Sequence, residues 1–174
     1  MRTPTLIVLT LVTAAACADP EPSEPELLTV PAFGNAAAAH NFRTHAHGGE
    51  EVPSVDTRAQ GQALFQLSRD GETLSYKLIV ANIVDVTMAH IHLAPAGETG
   101  DVVVWLYPSA PPPALIPGRT DGVLAEGEID AADLVGPLAG MDLDELVAVL
   151  RSGDAYVNVH TEANPPGEIR GQIH

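Results

Sequence analysis

The sequence predicts an all-β domain, a Greek-key-like antiparallel β-sandwich or barrel with one or two short helices in a late connection. The first observation behind this prediction is that apolar and polar residues alternate in several short runs, as in strands with one buried face. The second is that turn-forming residues separate these runs at short intervals. The third is composition: 45% of the residues are hydrophobic but only 4% are aromatic. A single core of aliphatic side chains is therefore expected.

The start of the chain has the pattern of an export signal. Arg2, an apolar run over residues 6–12 and three alanines before Cys17 predict a signal peptide over residues 1–16. Cys17 stands where the lipid-bearing cysteine of a bacterial lipobox stands, although Ala14 replaces the usual leucine. The chain has no other cysteine for a disulfide, so we expect a membrane anchor at Cys17 rather than a free thiol. The predicted location is an exported lipoprotein that faces the periplasm or the cell surface.

Residues 17–41 read as a linker between this anchor and the folded domain. Proline and glutamate alternate along much of the segment, and a run of alanines follows. Such a composition buries too little apolar surface to order itself, and like charges keep it extended. The folded domain is therefore expected over residues 42–174.

The first predicted strands form a hairpin. Residues 63–67 and 74–80 alternate around Asp70-Gly71, a dipeptide that favours a tight turn. The proline-rich segment 111–118 is predicted to be a loop, because proline cannot donate to a strand ladder. The further predicted strands are residues 86–93, 102–107, 122–129, 155–160 and 168–173.

One helix is predicted late in the chain. Asp142 is placed to cap it with Glu145 three residues on, apolar residues recur at helical spacing over 143–150, and Gly153 ends it. A shorter helical turn is expected to begin at Asp130. These elements are predicted to close one end of the sandwich and to carry no chemistry.

The acidic net charge of the chain argues against nucleic acid as a partner. Eight basic residues against 23 acidic ones give a net charge of −15, and no basic cluster suits a phosphate backbone, so nucleic acid is not expected as a partner. An acidic surface attracts cations or basic proteins, while the simpler interpretation is that it serves solubility.

Three histidines are the candidate metal ligands. His90 and His92 are two residues apart, so in a strand they lie on one face, opposite Ala89 and Ile91. His160 has the same relation to the apolar residues of its own predicted strand. If these strands are close in space, the three imidazoles converge outside the core under a covering loop. Neutral imidazole is a good ligand for copper or zinc, and we expect copper before zinc.

Other side chains could join or extend this site. Met88 lies on the face of His90 and offers a soft ligand for Cu(I). His45 and His47 form a second His-x-His pair and are further metal candidates. His174 is most simply an exposed end residue.

Three functions remain open from the residues alone. The preferred one is a non-enzymatic module that binds a transition metal. The chief alternative is a metal-free adhesion or scaffolding domain, whose histidines only brace the fold and whose acidic face binds envelope or extracellular proteins. The third is a copper redox enzyme, since copper–zinc superoxide dismutases have a similar His-x-His on the outer face of a Greek-key barrel. No catalytic serine, second cysteine or phosphate-binding loop was found.

Several motifs together resemble a known family. They are Glu51-Val52-Pro53, Ala89-His90-Ile91-His92, the segment 97–103, Tyr156–Thr161, and Asn164-Pro165-Pro166-Gly167-Glu168-Ile169-Arg170-Gly171-Gln172. The pattern is similar to that of the CHRD domain, which occurs in chordin and in secreted microbial proteins, and it extends from about residue 42 to 173. The resemblance implies an extracellular all-β module without an established activity.

Overall fold

The computed structural model describes residues 40–174, which form an antiparallel β-structure with one α-helix. The predicted signal peptide, Cys17 and nearly all of the linker lie outside the described residues. The strands are β1 (Asn41–His47), β2 (Gln60–Leu67), β3 (Leu74–Leu93), β4 (Asp101–Tyr107), β5 (Ile116–Ile129), β6 (Ala155–Thr161) and β7 (Ile169–Gln172), and the helix is α1 (Leu143–Ser152). Short 3-10 turns occur at Gly48–Glu50, Ala131–Asp133 and Gly136–Leu138.

The strands close into a ring. Hydrogen bonding runs in the order β2-β1-β7-β6-β3, and β3 pairs again with β2. Strands β4 and β5 also pair with β3. Every one of these pairings is antiparallel. The predicted all-β sandwich or barrel with a short late helix is confirmed.

The central strand differs from the prediction. The runs 74–80 and 86–93 were expected as separate strands, but they belong to the single 20-residue strand β3. Its first half pairs with β2 and β5, and its second half pairs with β6 and β4. Between the halves, Asn82 and Asp85 adopt positive φ angles of 60° and 53°, a conformation that Asn and Asp tolerate better than most residues. The strand therefore bends between its first set of partners, β2 and β5, and its second set, β6 and β4, without ending.

Local predictions at the hairpin and helix are confirmed. Strands β2 and β3 form the expected hairpin, with Leu67 opposite Leu74. The helix α1 ends at Gly153, whose φ of 78° is left-handed. Asp142 is its N-cap residue, but its side chain makes no capping hydrogen bond. The capping box lies instead at the shorter turn, where Asp130 accepts from the Ala132 N–H and donates its own N–H to Asp133.

One whole strand and the start of another were not predicted. Strand β1 was absent from the expected strands, although Phe42, Thr44 and Ala46 alternate as buried residues along it. Strand β5 begins at Ile116, inside the segment expected to be a loop. Because the pairing found for β5 is with β3 alone, Pro117 sits on an edge strand, where a missing ladder donor is tolerated.

One aliphatic core fills the space between the strands and the helix. The inward residues of β3, β6 and β7 are fully buried, and the apolar stripe of α1 packs into the same cluster. Among residues 40–174, no helix combines the length and apolar character needed to cross a bilayer. The core thus holds β3, β6 and β7 in fixed relation, and these three strands carry the site described next.

Candidate metal centre

The three predicted histidines lie on the face of the sheet opposite the core. Ala89 and Ile91 of β3 are completely buried in the core, so His90 and His92 project from the other side of that strand. In β6, Val159 is likewise in the core and His160 projects outward. The face assignments made from the alternation are therefore confirmed.

That outer face is covered by loops, as expected, and two of its three histidines are buried. His90 is 3% exposed and His160 5% exposed, while His92 is partly exposed. The loop 94–100 and the loop 162–168 hydrogen-bond to side chains of this face and cover it. The site is thus an enclosed polar layer beneath two loops, outside the hydrophobic core.

The imidazoles converge on one point. One ring nitrogen of each of His90, His92 and His160 lies within 4.8 Å of those of the other two. The shortest separation is 3.1 Å, between His90 Nδ1 and His160 Nε2. Two imidazole nitrogens bound tetrahedrally to the same zinc-sized ion would stand about 3.3 Å apart, given metal–nitrogen bonds of about 2.0–2.1 Å. The His90–His160 separation therefore matches that of two ligands of one ion, and the His92 nitrogen lies within 4.8 Å of both.

Backbone carbonyls hold two of the rings in position. His92 Nδ1 lies 2.9 Å from Gly100 O, and His160 Nδ1 lies 2.9 Å from Pro165 O. A carbonyl can only accept, so each Nδ1 carries the proton and, in the neutral ring, each Nε2 carries a lone pair. This is the arrangement in which metal-binding histidines are usually held, with the second ring nitrogen donating to a carbonyl or carboxylate.

The remaining nitrogens complete the pattern. Because His160 Nε2 accepts, His90 Nδ1 donates to it, and the neutral His90 ring then has its lone pair on Nε2. His90 Nε2 and His92 Nε2 are both buried and have no hydrogen-bond partner. Buried polar atoms without partners are rare because each forfeits its hydration without compensation. Two such lone pairs in one cluster mark a place where a cation would be stabilised.

The environment keeps the rings neutral. Burial, with repulsion from His160 and His92, lowers the pKa of His90 to about 3. Burial also lowers the pKa of His160 to about 4, although the hydrogen bond that His160 donates to the Pro165 carbonyl acts in the opposite direction. The pKa of His92 is lowered by burial as well. Neutral imidazole is the form that binds a metal, so the ligands need no deprotonation at neutral pH.

A stack of side chains across three strands supports His92. The ring of Tyr156 in β6 is parallel to that of His92, with centroids 4.8 Å apart and an interplanar angle of 6°. The guanidinium of Arg170 in β7 lies 3.5 Å from the centroid of the same tyrosine ring, a cation–π contact. The tyrosine hydroxyl also accepts from the N–H of Gly100. His92 is thus held between Tyr156 and the Gly100 carbonyl.

Arg170 also fastens the covering loop. It is 2% exposed, and its guanidinium donates to the carbonyls of Glu98 and Pro95. Gln172 donates to the carbonyl of Ala94 at 2.9 Å. These bonds anchor the loop that ends in Gly100, and through Gly100 they fix the His92 ring.

A second charged group lies close to this layer. Glu51 accepts a 2.6 Å hydrogen bond from the Asn158 side chain. Burial raises the pKa of Glu51 to about 7, against the opposing charge of Arg170. Asn158 lies opposite His90 in the β3–β6 ladder, so it connects this carboxyl to the histidine row.

Trp105 forms one wall of the site. It pairs with His90 across the β3–β4 ladder, and the two rings meet edge to face with centroids 4.2 Å apart. Register shifts occur on both sides of this pair; such irregularities re-aim side chains and are frequent near functional sites. Met88, the predicted soft ligand, is opposite His160 in the β3–β6 ladder and is half-buried.

The other predicted histidines are elsewhere. His45 and His47 are on β1, whose neighbours in the sheet are β2 and β7, and they are not part of the group formed by His90, His92 and His160. Together with Glu50 and His174 they line a separate surface cavity. The structure therefore divides the predicted ligands into a buried group and an exposed one.

Sequence reasoning did not identify Trp105 and Tyr156 as parts of the site. Tyr156 could have been found from its spacing, since it shares the outward parity of His160 in the same strand. Trp105 had no such signal, because its position opposite His90 depends on irregular strand register. The role of Arg170 as an anchor for the loop 94–100 was not predicted either.

Comparison with known proteins gives a consistent match. The family model of the CHRD domain matches residues 42–173. Chordin of Xenopus laevis is 32% identical over 127 residues, which are 70% of this chain and 12% of chordin. The chain therefore spans a small fraction of the length of that relative. No solved structure matches it significantly.

Proposed function

The chain belongs to the CHRD domain family, a non-enzymatic type of binding module, and on that premise we propose that it binds a transition-metal ion through His90, His92 and His160, copper before zinc. The ion would sit in the polar layer between the sheet and its covering loops. The module would act as a binder or carrier of the ion, with no turnover of a substrate.

One observation carries this proposal. His92 and His160 each donate Nδ1–H to a loop carbonyl, so each has its lone pair on Nε2; His160 Nε2 accepts from His90 Nδ1, whereas His92 Nε2 and His90 Nε2 have no partner. Bracing alone explains the two carbonyl bonds but leaves two buried nitrogens unsatisfied. A cation in place of the His90–His160 hydrogen bond would be bound by His90 Nδ1, His160 Nε2 and His92 Nε2, and it would satisfy the buried His92 nitrogen, which supports metal binding over bracing.

The ligand set favours copper. Three neutral imidazoles form the group found within the described residues, without a carboxylate or thiolate, and divalent copper binds such nitrogen ligands more tightly than zinc does. Protein zinc sites are nearly always four-coordinate, with water as the fourth ligand where the protein supplies three. The free nitrogens here are shielded from solvent, which disfavours such a water ligand. Met88 on the neighbouring pleat would add a soft ligand for the cuprous state.

Elemental analysis tests the proposal. Protein purified without chelator, then incubated with copper and desalted, is expected to carry one tightly held ion per chain. The double variant H90Q/H92Q should lose it while keeping the β-rich circular dichroism of the parent. The matched control is H45Q/H47Q, the other His-x-His pair, which should retain the tightly held ion.

The opposite result supports the metal-free alternative. If the parent carries no copper or zinc after loading and H90Q/H92Q unfolds, the histidines serve only to brace the loops. The Nδ1 bonds to Gly100 and Pro165 favour that role, and the chain would then be an adhesion or scaffolding domain for envelope or extracellular proteins. Copper redox catalysis is less well supported, because the free imidazole nitrogens are buried and a substrate would need to reach the ion.

We further propose that the protein is exported and anchored to a membrane by a lipid on Cys17. The predicted signal peptide before Cys17 and the occurrence of CHRD domains in secreted proteins support this location. Metabolic labelling with a radioactive fatty acid should mark the parent and leave Cys17→Ser unlabelled. Equal labelling of both would rule out this anchor.

A further inference from the structure

We propose that the exposed histidine group, His45, His47 and His174 with Glu50, forms a second and separate site for a divalent transition-metal ion such as zinc. The four side chains line one surface cavity of about 280 Å³, together with Gln172. This inference does not depend on the buried site, since it uses none of its ligands.

Strand register brings the three imidazoles together. His47 is opposite Arg170 in the β1–β7 pairing, and Arg43 exchanges two backbone hydrogen bonds of 2.9 Å with His174. In that antiparallel register His45 lies between these pairs, opposite Gln172. Since residues two apart share a face, His45, His47 and His174 all lie on one side of two neighbouring strands.

The donors are close and can rotate. The rings of His45 and His47 have centroids 6.0 Å apart, and Glu50 Oε1 lies 3.6 Å from His47 Nε2. The side chains of His47 and Glu50 are each 44% exposed, and His45 and His174 are exposed as well. Rotation of these side chains about their χ angles can bring neighbouring donors closer together without moving the strands, and His45 is the central ligand because it is adjacent to both His47 and His174 in the register.

The chemistry differs from that of the buried site. Three imidazoles and one carboxylate match the donors of zinc sites, and water can complete the coordination because the cavity is open. The net charge of −15 attracts divalent cations to the surface. The expected ion is held less tightly and exchanges faster than one enclosed by the loops, because these ligands are mobile and hydrated.

Retention on an immobilised metal resin tests the site directly, because the resin reaches only exposed side chains. All seven histidines of the chain lie within residues 40–174, and besides the buried group and the proposed site only His40 remains. Untagged parent protein should be retained on immobilised zinc. H45Q/H47Q should lose retention and lose one equivalent of zinc in equilibrium dialysis, and His174→Gln should elute earlier than the parent.

Two control variants separate this inference from the proposed function. His40→Gln and H90Q/H92Q should both be retained like the parent. The inference is overturned if the parent is not retained, if H45Q/H47Q is retained equally, or if His40→Gln abolishes retention. Because His40, His45, His47 and His174 have exposed side chains, their variants are expected to fold, and circular dichroism checks the fold of every variant, H90Q/H92Q included. Loss of copper in H90Q/H92Q with unchanged retention would leave both proposals standing independently.

Discussion

The Nδ1 atom of His90 lies 3.1 Å from the Nε2 atom of His160, which is 70 residues further along the chain. Strands β3 and β6 bring the two rings together, and the Pro165 carbonyl determines which nitrogen of His160 faces His90. The hydrogen bond between the rings occupies the place that an ion would take. The ligand geometry therefore exists before any metal is bound, which lowers the conformational cost of binding.

Trp105 is expected to report copper binding. It is the only tryptophan in the chain, and its ring centroid lies 4.2 Å from that of His90. Divalent copper at the buried site should quench its fluorescence strongly, whereas zinc, with a filled d shell, should change it little. Titration of His92→Gln should show little quenching, and H45Q/H47Q should behave like the parent. Equal quenching in the His92 variant would place the copper elsewhere.

The stability of the metal-free protein should fall in acid. Burial lowers the folded-state pKa of His90 to about 3 and of His160 to about 4, from 6.5, and lowers that of His92. Below about pH 6.5 the unfolded chain therefore binds more protons than the folded one, so the free energy of unfolding decreases with falling pH. The loss should continue down to about pH 3, the folded-state pKa of His90. Urea denaturation with chelator present, at a series of pH values, measures it.

The control for this pH dependence removes the titrating groups. H90Q/H92Q should show a shallower decrease between pH 6.5 and 4 than the parent. H45Q/H47Q, which changes exposed rings, should keep the slope of the parent. A slope in H90Q/H92Q equal to that of the parent over this range would contradict the burial of neutral imidazoles.

Glu51 should change the free energy of unfolding with pH in the direction opposite to that of the buried histidines. Burial raises its folded-state pKa from 4.5 to about 7, so the folded state retains a proton that the unfolded chain has released. Stability from this group is present below about pH 4.5 and is lost as pH rises to about 7. Glu51→Gln keeps an acceptor for Asn158 without a charge, and it should unfold at higher urea than the parent above pH 7. The advantage should vanish near pH 4.

The exposed carboxyl Glu50 provides the comparison for Glu51. Because Glu50 is 44% exposed, Glu50→Gln should change the unfolding free energy little across the same pH range. If Glu51→Gln is less stable than the parent above pH 7, the interaction with Arg170 outweighs burial, and the direction of the Glu51 pKa shift is wrong.

Arg170 should matter for both folding and metal affinity. Arg170→Met removes the cation–π contact with Tyr156 and leaves the carbonyls of Glu98 and Pro95 without their donor. The expected cost is about 2–4 kcal/mol of unfolding free energy. Because the loop also orients His92, copper affinity should fall roughly tenfold or more. Urea denaturation and competitive copper titration measure the two effects.

Arg119 is the matched control for Arg170. Its ion pair with Asp121 is exposed, with side-chain exposures of 60% and 49%. Arg119→Met should therefore cost less than about 1 kcal/mol and leave copper affinity unchanged. If the Arg170 variant keeps the copper affinity of the parent, the loop does not position His92.

Local patterns predicted most of the strands and the faces of the site side chains. Successive side chains of a strand point to opposite faces, so the outward direction of His90, His92 and His160 follows from their neighbours in sequence. The helix end at Gly153 was also predictable, because the left-handed conformation that ends a helix is usually adopted by glycine. These features depend on contacts a few residues apart.

Features set by distant contacts were not predictable. Burial of the outer face depends on Arg170 reaching the carbonyls of Glu98 and Pro95, 72 and 75 residues away. The position of Trp105 depends on register shifts in the β3–β4 ladder. The continuity of β3 was not predicted from the runs 74–80 and 86–93, because Asn82 and Asp85 bend a strand that continues between them.

The continuous path of β3 has a consequence for how the protein opens. The first part of β3 pairs with β2, its second part pairs with β6, and Asn82 and Asp85 lie between the two parts. Separating β3 from one of these partners would therefore strain its pairing with the other. Amide protons in the first and second parts of β3 should therefore exchange with solvent at similar, slow rates, as members of one cooperative unit. If the chain were cut between Asn82 and Asp85, its two fragments would have to associate before His90 and His92, or His45 and His47, could bind a metal ion.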